Sequence, residues 1–234
     1  MYKLLFIYCF LLFTVLSGKG QVVSIDSLRN SFDQSYGLDV LLINGKKYFP
    51  NNNPTTGHPF WRNPDSFTGD ISIAGKTFKD QLLKFELNKQ EFILLYNNFN
   101  GQQGQIILNH ASIDSIKTGT FLFIPNKWPD IKQQFVQVIF QGKISCYIGW
   151  YKELQFNSTG AHVGYQYFND DRKFYIIMNG TVFQFHNKST FLGIFKGKEK
   201  DLIRKYLSSN RFRFKKMDQN DLTKLITYCE EILT

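Results

Sequence analysis

The chain has 234 residues, of which 43% are hydrophobic and 20% are charged, and its formal net charge is +9. It is long enough and apolar enough to bury a core, so its composition excludes a disordered protein. The positive charge is concentrated in one segment. Residues 196–216 hold nine Lys or Arg residues against Glu199 and Asp201, and the net charge of this segment equals the net charge of residues 21–234.

Residues 1–20 have the layout of a secretory signal peptide. Lys3 precedes an apolar run from Leu4 to Leu16, and the small residues Ser17, Gly18 and Gly20 follow it. The run is short for a membrane span. We predict cleavage near Gly20 and export to the periplasm or the extracellular space. Cleavage after Ser17 and an uncleaved N-terminal anchor are the alternatives.

The mature chain is predicted to be mainly β (α+β). Residues 21–38 are polar and are predicted to form an N-terminal arm, with a short helix through Ile25, Leu28 and Phe32 as the alternative. Residues 39–186 contain short apolar runs separated by turn residues about every 8–12 positions, which is typical of an antiparallel sheet. We therefore predict an antiparallel β domain here, a curved sheet that is sandwich-like or barrel-like.

Asn-Gly pairs mark two predicted hairpins. Asn179-Gly180 separates the runs Phe174–Met178 and Thr181–Phe185. A two-residue type I′ turn here requires positive φ at both turn residues and pairs Met178 with Thr181. The second Asn-Gly pair, at residues 44–45, predicts a shorter hairpin over residues 41–49.

A further hairpin is predicted between residues 135 and 151. A three-residue connection over residues 141–143 pairs Phe140 with Ile144 and Val138 with Cys146. This register keeps the apolar residues on one face, whereas a slip of one residue would move them to the other face.

The apolar spacing changes from two to three or four residues after His186. Lys198–Leu207 and a last segment that starts at Asn220 or Asp221 each carry one apolar stripe, and Ser189 is predicted to cap a shorter turn before them. We predict that the helices of residues 187–234 pack on the sheet, because a helix buries its apolar stripe.

The segment from Pro50 to Phe67 holds four of the six prolines and is predicted to be a long loop that exposes its aromatic residues. The loop contains a candidate ligand-binding set, which could bind a carboxylate or a sugar by stacking and hydrogen bonding. The set is His58, Trp61, Arg62 and Asp65. The alternative is a lid whose aromatic residues cover one end of the sheet.

The basic segment is a second candidate site. It could dock on anionic lipid headgroups or on acidic polysaccharide, whereas export argues against nucleic acid. Its candidate anion-binding residues are Arg204, Lys205, Arg211, Arg213, Lys215 and Lys216. The alternative is a solvated surface with Phe212 and Phe214 turned inward.

Motifs for catalysis or metal binding are missing from the sequence. The four histidines lie in separate segments without metal-ligand spacing, so neither a metal nor a cofactor is predicted. Asp170-Asp171 is predicted to be a turn, since Asn and Asp bond their own backbone. Cys146 and Cys229 are predicted to be two buried thiols, with a disulfide as the alternative.

Several short motifs resemble an uncharacterised family of exported bacterial β-rich proteins. They are Tyr48-Phe49-Pro50, Gly57-His58-Pro59-Phe60, Gly69-Asp70-Ile71 and Gly75-Lys76, with the closing Lys-rich helix pair. The resemblance implies export and a β-sheet core and supplies no activity. We predict an exported, non-enzymatic binding or structural module of the bacterial cell envelope, with an anionic envelope component as a candidate partner. Two alternatives stay open, an anionic-surface binder acting through residues 196–216 and a hydrolase-like enzyme using His58.

Overall fold

The computed structural model describes residues 39–51, 53–98, 100–158, 163–214 and 217–233. The predicted signal peptide and N-terminal arm lie outside these residues and stay predictions. Within the described ranges, no helix combines the length and the apolar character that a membrane span requires.

Fourteen strands and three α-helices form in the described residues. The strands are β1 (Gly45–Lys47), β2 (Thr55–Thr56), β3 (Phe67–Ile73), β4 (Lys76–Glu86), β5 (Glu91–Asn97), β6 (Gln103–Leu108), β7 (Ile113–Thr118), β8 (Phe121–Pro125), β9 (Phe135–Phe140), β10 (Ile144–Tyr151), β11 (Leu154–Asn157), β12 (Gly164–Tyr167), β13 (Asp171–Met178) and β14 (Thr181–Phe185). The helices are α1 (Lys188–Gly193), α2 (Gly197–Ser209) and α3 (Gln219–Ile232).

Eleven of the strands form one sheet, in the order β1-β6-β5-β4-β3-β7-β8-β9-β10-β13-β14. Each neighbouring pair in this sheet is antiparallel. A smaller sheet has the order β11-β12-β2, in which β12 and β2 are parallel. The predicted mainly β fold is confirmed. The large sheet is open rather than closed into a barrel, since β1 and β14 form the edges of its described part.

The predicted Asn179-Gly180 hairpin is confirmed. Its turn residues have φ values of 52° and 74°, and β13 and β14 pair Met178 with Thr181. The apolar face of this hairpin is buried, with Phe174 at 7%, Ile176 at 0% and Phe185 at 1% exposure.

The predicted register of the β9–β10 hairpin is wrong. Phe140 lies opposite Cys146 rather than Ile144, and a bulge follows between Cys146 and Tyr147. The Glu230 side chain accepts hydrogen bonds from the backbone N–H groups of Lys143 and Ile144, each at 2.9 Å. Because these two N–H groups bond to a side chain of α3, they do not close a tight turn. The connection between β9 and β10 is therefore longer than predicted.

The predicted hairpin over residues 41–49 is also wrong. Residues 40–42 form a turn, and β1 pairs instead with β6, where Gly45 lies opposite Leu108. A Cβ atom at Gly45 would lie 2.0 Å from the carbonyl oxygen of Ile107. Glycine is therefore needed here for the close approach of two backbones.

The C-terminal helices pack on the sheet as predicted. Ile203 of α2 and Leu222, Leu225 and Ile226 of α3 are fully buried, in one cluster with residues of β10, β13 and β14. The caps differ from the predictions. Asn187 rather than Ser189 caps α1, and Asp218 caps α3, accepting from the N–H of Asp221. Asn and Asp suit these positions because their side chains accept from the free N–H groups of the first turn.

Candidate ligand-binding site

Trp61 is a core residue rather than an exposed one. It is 4% exposed, and the rings of Phe67, Phe121, Phe123 and Trp150 meet it edge to face at centroid distances of 5.2–5.9 Å. These rings come from β3, β8 and β10, so Trp61 joins the Pro-rich loop to the sheet. The expectation that the loop exposes Trp61 is wrong.

Arg62 lies at the surface above this cluster. Its guanidinium carbon is 4.5 Å from the centroid of the Trp61 ring and 4.2 Å from that of Phe121. Its backbone is in the left-handed region at φ 63°, and its N–H donates to the Asp170 carboxylate at 2.5 Å. Cation–π contacts and a fixed backbone therefore hold an exposed cation in one place.

A groove of about 460 Å³ runs past Arg62. Its aromatic part is formed by Trp61, Phe67 and Phe121. Its polar part comes from the loop and from the turn between β7 and β8, and comprises Arg62, Asn63, Ser66, Thr118, Gly119 and Thr120. The groove thus combines aromatic rings, hydroxyl and amide groups and one cation. It can stack an apolar ring face and bind an anionic group.

A buried ion pair, for which the sequence carries no pattern, fixes the loop next to the groove. Lys152 is 5% exposed, and its Nζ atom lies 2.9 Å from Oδ1 of Asp170. The same Nζ donates to the carbonyl oxygens of His58 at 3.0 Å and of Phe60 at 3.1 Å. All three ammonium hydrogens therefore have acceptors. The predicted turn at Asp170-Asp171 is wrong: Asp170 lies in the short link between β12 and β13 and anchors the loop through Lys152, and Asp171 is the first residue of β13.

His58 is half-buried beside this ion pair. Its Nδ1 atom is buried without a hydrogen-bond partner among the described residues. Burial lowers the pKa of His58, the Lys152 ammonium lowers it further, and Asp170 acts in the opposite direction. The Asp170 carboxylate is already engaged by Lys152 and by the N–H of Arg62. In the described part of the chain, no carboxylate is hydrogen-bonded to the His58 ring, although Asp170 lies beside it, and the hydrolase-like alternative stays a prediction.

The remaining loop candidate, Asp65, is exposed and does not line the groove. The structure therefore brings Trp61 and Arg62 together in the groove. His58 does not line the groove, and its carbonyl oxygen accepts a hydrogen bond from Lys152.

The basic segment is placed only in part, because Lys215 and Lys216 lie outside the described residues. Arg204 pairs with Asp201 at 2.5 Å, and both side chains are more than half exposed. Lys205, Arg211 and Arg213 are also exposed. Phe214 is buried at 8% exposure, and Phe212 packs near Tyr206 with the ring centroids 5.8 Å apart. The cations face solvent, and the aromatic residues between them turn inward.

Cys146 and Cys229 are free thiols in the same buried cluster. Burial raises the pKa of both thiols, that of Cys229 to about 12. Such thiols are poor nucleophiles, since the thiolate is the reactive form. Over the described ranges, His, Cys, Asp and Glu side chains form no group of three or more that could hold a metal ion.

The chain matches no protein-family model, no curated protein and no solved structure. The resemblance drawn from its turn motifs stays a prediction. Any function of the chain has to follow from the geometry of its own residues.

Proposed function

We propose that the protein is an exported, non-enzymatic binding module of the cell envelope, and that it binds a carboxylate-bearing saccharide in the groove at Arg62. The observation that carries the proposal is the Arg62 guanidinium, held over two aromatic rings at the groove without an acidic partner among the described residues. A guanidinium presents paired donors that match the two oxygens of a carboxylate.

The rest of the groove suits a sugar. The rings of Phe67 and Phe121 are partly exposed and offer a face for stacking. Ser66, Thr118 and Thr120 supply hydroxyl or carbonyl groups for sugar hydroxyls. The Thr118 hydroxyl donates to the carbonyl of Thr68 at 2.8 Å, which leaves its oxygen lone pairs as acceptors.

The ion pair of Lys152 and Asp170 supports a binding role. It fixes the backbone on both sides of Trp61 through the carbonyls of His58 and Phe60 and the N–H of Arg62. A preformed site loses less conformational entropy when it binds a ligand. Export is proposed from the apolar leader, and N-terminal sequencing of the secreted protein should find a mature chain that starts at or near Gln21.

The substitution Arg62→Gln tests the groove. We expect it to weaken the binding of uronate oligosaccharides about 10- to 100-fold, the usual loss when a charged hydrogen-bond partner is removed. Neutral malto-oligosaccharides serve as the ligand control. Arg211→Gln is the matched variant, because Arg211 is also exposed and also has positive φ, at 51°.

Isothermal titration of the wild type and both variants gives the answer. Equal uronate affinity in the wild type and the Arg62→Gln variant would exclude the groove. A loss in the Arg211→Gln variant alone would instead favour the basic segment as the anion site.

A further inference from the structure

A glutamine is fully buried in the large sheet. Gln137 of β9 is 0% exposed. Its Oε1 atom accepts a hydrogen bond from the indole Nε1 of Trp150 at 2.8 Å, and its Nε2 atom donates to Oε1 of Gln219 at 2.9 Å. Apolar side chains of similar shape would fill such positions at no loss of stability, because a buried amide has to be desolvated. We therefore look for a role of Gln137 other than filling the core.

Gln219, the first residue of α3, extends these hydrogen bonds to the groove. Its Nε2 atom donates to the carbonyl oxygen of Thr120 at 3.0 Å, and Thr120 lies on the groove wall. Each of the two amides accepts at one end and donates at the other, so the orientation of both amides is fixed. Trp150, Gln137, Gln219 and Thr120 thus form a continuous chain of hydrogen bonds, which we call the glutamine network.

The two ends of the glutamine network lie next to the two rings that support Arg62. At one end, the Trp150 ring meets the Trp61 ring edge to face, with the centroids 5.9 Å apart. At the other end, Thr120 directly precedes Phe121 in the chain. The Arg62 guanidinium carbon lies 4.5 Å from the Trp61 centroid and 4.2 Å from that of Phe121. The network therefore connects both supports of the groove cation through a buried side chain.

The turn that carries Thr120 depends on Gln219. Thr118 and Phe121 pair across the β7–β8 hairpin, so Gly119 and Thr120 form a two-residue loop, with φ of Gly119 at 53°. In the described part of the chain, Gln219 is the only side chain that is hydrogen-bonded to these two loop residues. Loss of its amide would free the loop, and the Phe121 ring that follows the loop would lose a constraint.

We propose that Gln137 and Gln219 are positioning residues of the carboxylate site, and that they act by holding the two aromatic supports of Arg62. This inference rests on the proposed function of the groove. Neither glutamine lines the groove, so both act through other residues. A guanidinium that is already held in its binding position loses less conformational entropy when a ligand arrives.

The substitution Gln219→Met tests the network without a ligand, because it removes the amide and keeps the length of the side chain. In NMR spectra of the full mature chain, the Arg62 side-chain protons should be shifted upfield by the two rings that they cover. In the variant, these resonances should move towards those of the exposed Arg211. Gln137→Met should cause the same change. Asn220→Met is the matched control, since Asn220 is the next residue of α3 and is exposed, and it should leave the Arg62 resonances unchanged.

A second variant, Gln219→Glu, covers the case in which Gln219→Met does not fold. Its carboxylate can still accept from Gln137, and a negative charge suits the first turn of a helix. It cannot donate to the Thr120 carbonyl. The Arg62 resonances should therefore move in this variant as well.

Binding measurements connect the network to the ligand. We expect Gln219→Met to weaken the binding of uronate oligosaccharides about 3- to 10-fold, which corresponds to the net contribution of one hydrogen bond. In the Arg62→Gln background, the same substitution should cause no further loss, because the two residues act on one contact. A general loss of folded structure would weaken binding equally in both backgrounds.

Three results would overturn the inference. The first is a set of Arg62 resonances that stay at their wild-type positions in the variants that lack the Gln219 amide. The second is an equal loss of affinity in the two backgrounds. The third is equal uronate affinity of the wild type and Arg62→Gln, which would also exclude the carboxylate site itself. Because the first two results leave the effect of Arg62→Gln intact, failure of the network is distinguishable from failure of the proposed function.

Discussion

At the scale of single residues, Lys152 is the side chain on which the candidate groove depends most. It is buried, all three of its hydrogens have acceptors, and two of these acceptors are loop carbonyls. Removing one member of a buried ion pair leaves the other charge buried without compensation. The neighbouring loop carbonyls would also lose their donor.

We expect Lys152→Met to lower the free energy of unfolding by about 3–5 kcal/mol, as measured by urea denaturation. Lys79→Met is the control, since Lys79 is exposed on β4, and it should cost no more than about 0.5 kcal/mol. The Lys152 variant should also bind uronate more weakly, because Arg62 sits on the loop that Lys152 holds. Equal stabilities of the two variants would show that the ion pair does not anchor the loop.

The sequence identified Arg62 and Trp61 as candidate site residues but not how they are held. A Trp in a Pro-rich segment reads as exposed, and only the sheet shows that four rings from distant strands enclose it. Lys152 and Asp170 carry no sequence pattern of burial, because charged residues are rarely buried unless they are paired. The pairing depends on the tertiary structure.

At the scale of elements, strand positions and the Asn179-Gly180 turn follow from local patterns. Alternating apolar residues fix the face of each strand, and the turn residues fix the local register. The β9–β10 register could not be predicted in this way. The acceptor that changes it is Glu230, 86 residues from Ile144 along the chain.

Glu230 also joins α3 to the sheet, which predicts the effect of Glu230→Ala. The variant loses the acceptors of the Lys143 and Ile144 N–H groups, so we expect a cost of about 1–3 kcal/mol in the free energy of unfolding. Hydrogen exchange should show faster exchange of these two amides. Glu231→Ala, at an exposed neighbouring position, should leave both measurements unchanged. Unchanged protection in the Glu230 variant would contradict the predicted link.

At the scale of the whole molecule, the basic segment is separated from the groove in sequence, but the helix that follows it begins at the groove wall. The exposed cations of residues 204–213 precede α3 in the chain. Gln219, the first residue of α3, donates to the carbonyl of Thr120 on the groove wall at 3.0 Å. A field of one sign near a binding site raises the rate at which a ligand of opposite charge arrives, and it does so less at high salt.

This arrangement predicts that the basic segment and Arg62 act on different rate constants. Replacing Arg204, Lys205, Arg211 and Arg213 together by Gln should slow uronate association several-fold at low ionic strength and leave dissociation unchanged. The difference from the wild type should vanish near 1 M salt, where the screening length is about 3 Å. Arg62→Gln should instead speed dissociation at every salt concentration, because it removes a contact of the bound state. Stopped-flow binding separates the two effects. Faster dissociation from the variant with all four substitutions would show that the basic segment contacts the ligand itself.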